Sequence, residues 1–184
     1  MSKSTLRARM RALRRQLADA APDAGLRAAA NLPEDWPGPP VAAYGVYHPM
    51  ASELDPGAIR IAEARRALPG VVDRDSPLVF RLYQPGDPLE PDALGLPAPT
   101  RDAAIVFPDV LFVPLLAFDR RGGRLGQGGG FYDRTIAALR ERGTVLAVGL
   151  AYAGQEVDRL ALEPHDQRLD AILTEAAFIP ILKG

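Results

Sequence analysis

Apolar residues recur along this chain with two different spacings. In residues 3–20, Leu6, Met10, Leu13 and Leu17 stand at i, i+4, i+7 and i+11, which predicts a helix with one apolar stripe. Lys3, Arg7 and Arg14 share one edge of that stripe. From there long basic side chains reach along the surface toward a neighbouring cleft, although a merely solvated basic face accounts for the same charges. Residues 26–32 predict a second, short helix, after which Pro33, Pro37, Pro39 and Pro40 break any regular element. Residues 41–47, 110–116, 145–151 and 171–174 are apolar runs without alternation, the pattern of strands covered on both faces in a parallel sheet. Residues 71–72 and 78–83 read as two further strands. Asp55-Pro56 is a helix start, with Asp as N-cap and Pro at the first helical position, and predicts a helix to residue 68. Residues 84–101 are proline-rich and unperiodic and read as a long loop that covers a site. Ile136 and Leu139 mark the buried face of a helix over residues 132–142. This alternation predicts an α/β fold: a single three-layer domain over residues 1–184, with a mainly parallel sheet flanked by helices. In such folds ligands gather at the carboxyl ends of the strands.

The second spacing is a cluster. Six of seventeen glycines fall between Gly122 and Gly130, immediately before the helix over residues 132–142. Glycine takes positive φ without a Cβ penalty, so several N–H groups can turn toward one anion, and a helix amino end favours negative charge. No glycine is followed by Lys-Ser or Lys-Thr, and Phe131 stands where a dinucleotide fingerprint would place its third glycine. Neither familiar phosphate motif is present. A flexible surface turn has the same glycine content, but Arg124, Arg134, Tyr132 and Asp133 put cations, a ring and a carboxylate beside the loop, as a nucleotide and its metal require.

Composition narrows the classes. A net charge of −1 over 184 residues gives no bulk attraction to nucleic acid or to an anionic membrane. With no cysteine, disulfides, thiolate metal sites and a cysteine nucleophile are excluded. No apolar run approaches the roughly 20 residues that span a bilayer. The first eighteen residues are basic and acid-poor before Asp19, as in a targeting segment, but lack its serine richness. A cytoplasmic monomer without nucleic-acid or membrane partners is the expectation.

The segment from Val113 to Asp119, followed by Gly123-Arg124-Leu125-Gly126-Gln127-Gly128-Gly129-Gly130-Phe131-Tyr132-Asp133-Arg134, resembles the signature of the 5-formyltetrahydrofolate cyclo-ligase family. Lys3-Ser4-Thr5-Leu6-Arg7 is similar to that family's amino-terminal ATP motif. Tyr47-His48-Pro49 with Glu53-Leu54-Asp55 is similar to its folate-lining segment, and Pro164 to Asp170 to an acidic segment near its glycine loop. Two departures stand out: Ala98 replaces an acid usual before Pro, and Phe131 replaces a tyrosine, keeping a stacking face but losing a hydroxyl.

The resemblance implies ATP-dependent cyclisation of 5-formyltetrahydrofolate to 5,10-methenyltetrahydrofolate, with ATP as co-substrate and Mg²⁺ as cofactor. It implies that residues Lys3, Ser4, Thr5, Leu6, Arg7, Arg124, Leu125, Gly126, Gln127, Gly128, Gly129, Gly130, Phe131 and Tyr132 bind ATP, with Arg124 also catalytic. His48, Glu53 and the segment Gln127, Gly128, Gly129, Gly130, Phe131 would contact the folate, and Asp133 and Asp166 would hold the metal. Arg134 reads equally as a phosphate ligand or a structural ion-pair partner. A formyl amide is a poor electrophile until its oxygen becomes a phosphate leaving group, so this chemistry needs no covalent nucleophile, in agreement with the absence of cysteine and of a Gly-x-Ser-x-Gly elbow. Two rivals share the same residues: another ATP-using or acyl-transferring enzyme on this fold, and a nonenzymatic nucleotide or folate-binding module.

Overall fold

The computed structural model describes residues 2–38 and 40–182. Pro39, one of the four prolines of the expected linker, lies outside the described residues. Helix α1 spans Lys3–Ala20, with the Ser2 hydroxyl accepting the Thr5 N–H as its N-cap, and α2 spans Ala24–Ala30. The strands follow as β1 (Ala43–Gly45), β2 (Arg65–Gly70), β3 (Val79–Leu82), β4 (Leu89–Pro91), β5 (Pro97–Pro99), β6 (Ile105–Val106), β7 (Val110–Pro114), β8 (Ala117–Phe118) and β9 (Arg124–Leu125). Helix α3 (Phe131–Arg142), β10 (Leu146–Leu150), β11 (Ala171–Leu173) and β12 (Phe178–Pro180) complete the order.

Eight strands form one sheet in the order β12-β11-β10-β7-β1-β2-β3-β6. The five central strands, β11 to β2, run parallel, and β12 and β3 add antiparallel margins. Its register explains the unbroken apolar runs. Along β7, Val110 and Phe112 face one core with Tyr44, Val148 and Leu150, against α2 and the end of α1. Leu111 and Val113 face the other, with Ala147 and with Ile136 and Leu139 of α3. Each large side chain so buried contributes about 1.5–3 kcal/mol, and a strand covered on both faces collects this at every position. At Gly149 a side chain has no place: a Cβ there would lie 2.6 Å from Leu169 Cδ1 and 2.7 Å from Leu115 Cδ2.

The amino-terminal half of α1 serves a third, smaller core. Met10 is buried there with Leu116, Ala117, Leu125 and Leu160, and Leu6 and Leu13 pack alongside. The apolar stripe of α1 thus seats the helix over the β8–β9 hairpin, and its basic edge is carried to the carboxyl ends of the central strands.

Three expectations change between β1 and β6: a helix over residues 56–68, a strand at 71–72 and an unpaired loop over 84–101. The helix expected over residues 56–68 does not form. Asp55 does accept the Gly57 N–H at 2.7 Å, but the turn it starts closes at Ile59, and the Gly57 carbonyl is taken by the Arg60 and Arg66 guanidinium groups. Residues 65–70 pair with β1 and β3 as β2, so sheet pairing and burial of Ile59, Ala67 and Leu68 override local helix propensity. The strand expected at residues 71–72 is replaced by the end of β2 at Gly70. Residues 84–101 hold the β4–β5 hairpin. Asp92 organises its turn by accepting the N–H groups of Val71, Leu94 and Leu96. No described helix is long and apolar enough to cross a membrane.

Candidate active site

Where β1 and β7 end, the chain leaves a cavity of about 580 Å³. Its walls come from α1, the loop after β1, the β4–β5 turn, the glycine run, the start of α3 and the turn at 163–166. Segments far apart in sequence meet there because the carboxyl edge of a parallel sheet receives every loop that follows its strands.

The glycine run is shaped from beneath by Asp119. Its carboxylate accepts the N–H groups of Arg121, Gly123 and Leu160, which fixes the β8–β9 hairpin without a cation. A Cβ on Gly123 would lie 2.7 Å from that carboxylate, so the residue type follows from the contact. Beyond β9, Gly128 and Gly130 have φ of +106° and +69°, and Gly130 is the N-cap of α3. The loop therefore reverses and presents the amino end of a twelve-residue helix to the cavity.

Around it the structure gathers three of the expected cations. The Arg7 Nε donates to the Gly126 carbonyl at 3.0 Å. Lys3 Nζ reaches Glu163 at 2.8 Å and Asp166 at 3.3 Å, contacts that raise its pKa, Glu163 foremost. Arg124 is nearly buried, with its side chain 5% exposed; Nη2 donates to Asp133 Oδ1 at 2.5 Å and Nη1 to the Gln167 carbonyl. Burial pulls its pKa down and Asp133 opposes that, yet an arginine remains charged. Ser4, Thr5 and Leu6 lie on the same first turns of α1. Gln127 accepts from Arg11 Nε at 2.9 Å, while Leu125, Phe131 and Tyr132 line the cavity.

Arg134 points elsewhere. Its guanidinium donates to the carbonyls of Arg74 and Gly129, at 2.8 and 3.0 Å, and stacks over the Phe131 ring at 5.0 Å. It ties the glycine loop to the strand margin.

At the other end of the cavity stand His48, Glu53, Tyr47 and Tyr132. The Glu53 side chain is only 5% exposed and pairs with Arg14 at 3.5 Å, while Oε2 accepts the Met50 N–H at 3.1 Å. Burial raises its pKa above the ordinary carboxylate range, and the Met50 N–H and Arg14 offset this only in part. Burial likewise raises Tyr47 and Tyr132, so both remain neutral phenols.

Asp133 and Asp166 both line the cavity, each already engaged. Asp133 Oδ1 accepts from Arg124 and the Gln167 N–H; Asp166 Oδ2 accepts from Lys3 and the Glu163 N–H. Burial works to raise the Asp166 pKa, but those two donors outweigh it and hold it low. Among the described residues no three His, Cys, Asp or Glu side chains cluster as a metal cage.

Sequence reading left two contributors without a role. Arg14 follows Arg7 by seven residues on the same helix edge, and that spacing was its signal. Asp92 and Leu94 enter the cavity wall through the β4–β5 turn, in a stretch that the sequence presented only as a proline-rich loop. Ala98 is buried against Gly70, where a Cβ would come within 3.3 Å of its methyl group.

The chain matches the profile of the 5-formyltetrahydrofolate cyclo-ligase family over residues 1–175. A 5-formyltetrahydrofolate cyclo-ligase of Haemophilus influenzae is 42% identical over 100 residues, 52% of this chain and 53% of that protein. That match thus spans about half the length of the relative. One from Mycolicibacterium smegmatis is 36% identical over 155 residues, 74% of this chain and 75% of the other. The solved 5,10-methenyltetrahydrofolate synthetase of Aquifex aeolicus superposes with a TM-score of 0.78 at 28% identity, covering 100% of this chain and 95% of its own. With the family profile matched over residues 1–175 and a relative 36% identical across 74% of the chain, the chain belongs to the 5-formyltetrahydrofolate cyclo-ligase family.

Proposed function

We propose that this protein converts 5-formyltetrahydrofolate to 5,10-methenyltetrahydrofolate at the expense of ATP, releasing ADP and phosphate. The observation that carries the reading is one cavity with two chemically different ends, joined without a partition: cations and a helix amino end on one side, a buried carboxylate and two phenols on the other. Phosphoryl transfer is mostly positioning and charge stabilisation, and the first end suits it. Arg124, Arg7, Lys3 and the Gly126–Gly130 N–H groups hold the triphosphate. Phe131, and Tyr132 where the two ends meet within reach of both Arg124 and Glu53, offer faces to a flat ring.

At the second end Glu53 accepts donors from the pterin ring, whose amino and ring N–H groups lie in one plane. The formyl oxygen then bonds to the γ-phosphorus as the bond to ADP breaks. The neighbouring folate nitrogen attacks the activated carbon, gives up its proton, closes the five-membered ring and expels phosphate. His48 lines this end beside the folate.

The donor set fits Mg²⁺ carried on the triphosphate, because such ions keep waters and phosphate oxygens and take only one or two carboxylates. Asp133 and Asp166 would each offer an oxygen, since one oxygen of each is committed to Arg124 or Lys3. A bound Mg²⁺ would spread the charge that builds on the transferred group.

The test is direct. Pure protein with MgATP and 5-formyltetrahydrofolate should generate the absorbance of methenyl-folate. ATP hydrolysis that ignores the folate would point to another ATP-using enzyme, and binding of both ligands without turnover to a binding module.

A further inference from the structure

Arg14 carries a permanent charge on a surface helix, yet its side chain is only 7% exposed. Three residues on two segments hold it there. Nε donates to Ser52 Oγ at 3.2 Å in the loop after β1; Nη1 donates to Glu53 Oε1 at 3.5 Å and to the Leu115 carbonyl at 3.4 Å beyond β7. The same carbonyl accepts Gln155 Nε2 at 3.0 Å, and Gln155 is itself buried, with its oxygen on the Tyr152 N–H. Leu115 is thus a fixed anchor.

Glu53 is held from two sides. One oxygen meets Arg14; the other meets the Met50 N–H, while the Glu53 N–H returns to the Met50 carbonyl at 3.0 Å. The groups facing Glu53 that bear on its charge are Arg14 from α1, Tyr47 from the end of β1 and Tyr132 from α3. Only Arg14 among them is a cation. A carboxylate this enclosed is costly to keep ionised without a charged partner, and the planar fork of an arginine fixes orientation as well as charge.

We propose that Arg14 is a positioning residue, which acts through Glu53 by keeping its carboxylate ionised and aimed at the folate end of the cavity. The inference rests on the reading of Glu53 as the folate-binding carboxylate. It deepens that reading by tying folate capture to the helix that also bears Lys3 and Arg7. The sign follows from burial: without the guanidinium nothing charged opposes desolvation, the Glu53 pKa climbs further, and the group takes up a proton and loses acceptor capacity.

Two measurements separate this from a structural ion pair. In ligand-free protein labelled with ¹³C at glutamate side-chain carboxyls, the Glu53 resonance is assigned by its loss in Glu53→Gln and titrated in wild type and Arg14→Gln. In parallel, KM is measured for 5-formyltetrahydrofolate and for ATP. Arg14→Gln should move the Glu53 titration up by at least one pH unit and raise the folate KM about 10-fold at pH values below the wild-type Glu53 titration, where a one-unit shift leaves a tenth of the ionised carboxylate, with the ATP KM within about two-fold. An unmoved titration, or equal rises in both KM values, overturns the proposal. Should Arg14→Gln not fold, Arg14→Lys serves. An ammonium keeps the charge but cannot hold Ser52, Leu115 and Glu53 together, so the folate KM alone should rise several-fold. No change in either KM, or the same change in both, would again overturn it. The underlying reading fails separately: a Glu53→Gln enzyme with unaltered folate KM removes Glu53 from the folate site, whatever the titration shows.

Discussion

The two ends of the cavity are built on opposite principles. At the glycine run the groups offered to a ligand are main-chain N–H groups, the partly exposed Lys3 and Arg7 and the enclosed Arg124, and the shape is set by backbone geometry around Asp119 and by the positive φ of Gly128 and Gly130. At the Glu53 end the groups are side chains, nearly all enclosed, and the shape is set by a single ion pair between segments 39 residues apart. The first end can exchange partners as a nucleotide enters and leaves. The second is preorganised and pays desolvation in advance, so small chemical changes there should act on one substrate only.

Removing Arg124 should break the contrast most severely, because it is the one nearly buried cation at the phosphate end. Arg124→Met is expected to lower kcat by about 10³-fold, the scale of a preorganised charge facing phosphoryl transfer, measured at saturating ATP. Next comes Glu53→Gln, expected to raise the folate KM by about 10–100-fold, the range for losing a hydrogen bond to a charged group, with the ATP KM unaltered. The pH dependence sharpens the same point. A carboxyl whose folded pKa lies above the ordinary range is protonated earlier as pH falls, so wild-type folate KM should rise on acidification before an ordinary glutamate would titrate, and this limb should vanish in Glu53→Gln. Asp133→Asn is expected to raise the Mg²⁺ and ATP requirement by about 10-fold with the circular dichroism spectrum intact. If metal dependence is unchanged while kcat falls, Asp133 serves Arg124 and not the metal. The smallest effect belongs to Lys3→Ala, a several-fold rise in ATP KM that shrinks with added salt, because Lys3 is partly solvated and screened.

Legibility followed the same division. The glycine run, the helix behind it and the strand before it were readable because local conformation and local sequence coincide there. The stripe of α1 was readable because burying one face of a helix imposes a period, and the apolar runs of β7 and β10 because a strand covered on both faces is apolar at nearly every position. Between β1 and β6 the sequence misled: Asp55-Pro56 starts a turn as readily as a helix, and the outcome is decided by pairing with strands that a local window does not contain. Arg14 was visible as a cation on the correct edge, but its partners Ser52, Glu53 and Leu115 are joined only by the tertiary fold.

Helix α1 also works as a measuring rod. Lys3 and Arg14 are separated by about 16 Å of helical rise at 1.5 Å per residue, so on the proposed reading one stiff element would fix the interval between the triphosphate and pterin stations. Inserting a single alanine between Arg7 and Arg14 would rotate everything downstream by about 100° relative to the amino-terminal turn. Either the phosphate cations or the Glu53 partner would then leave the cavity, and the distance between two substrates would be lost without altering any residue that touches them.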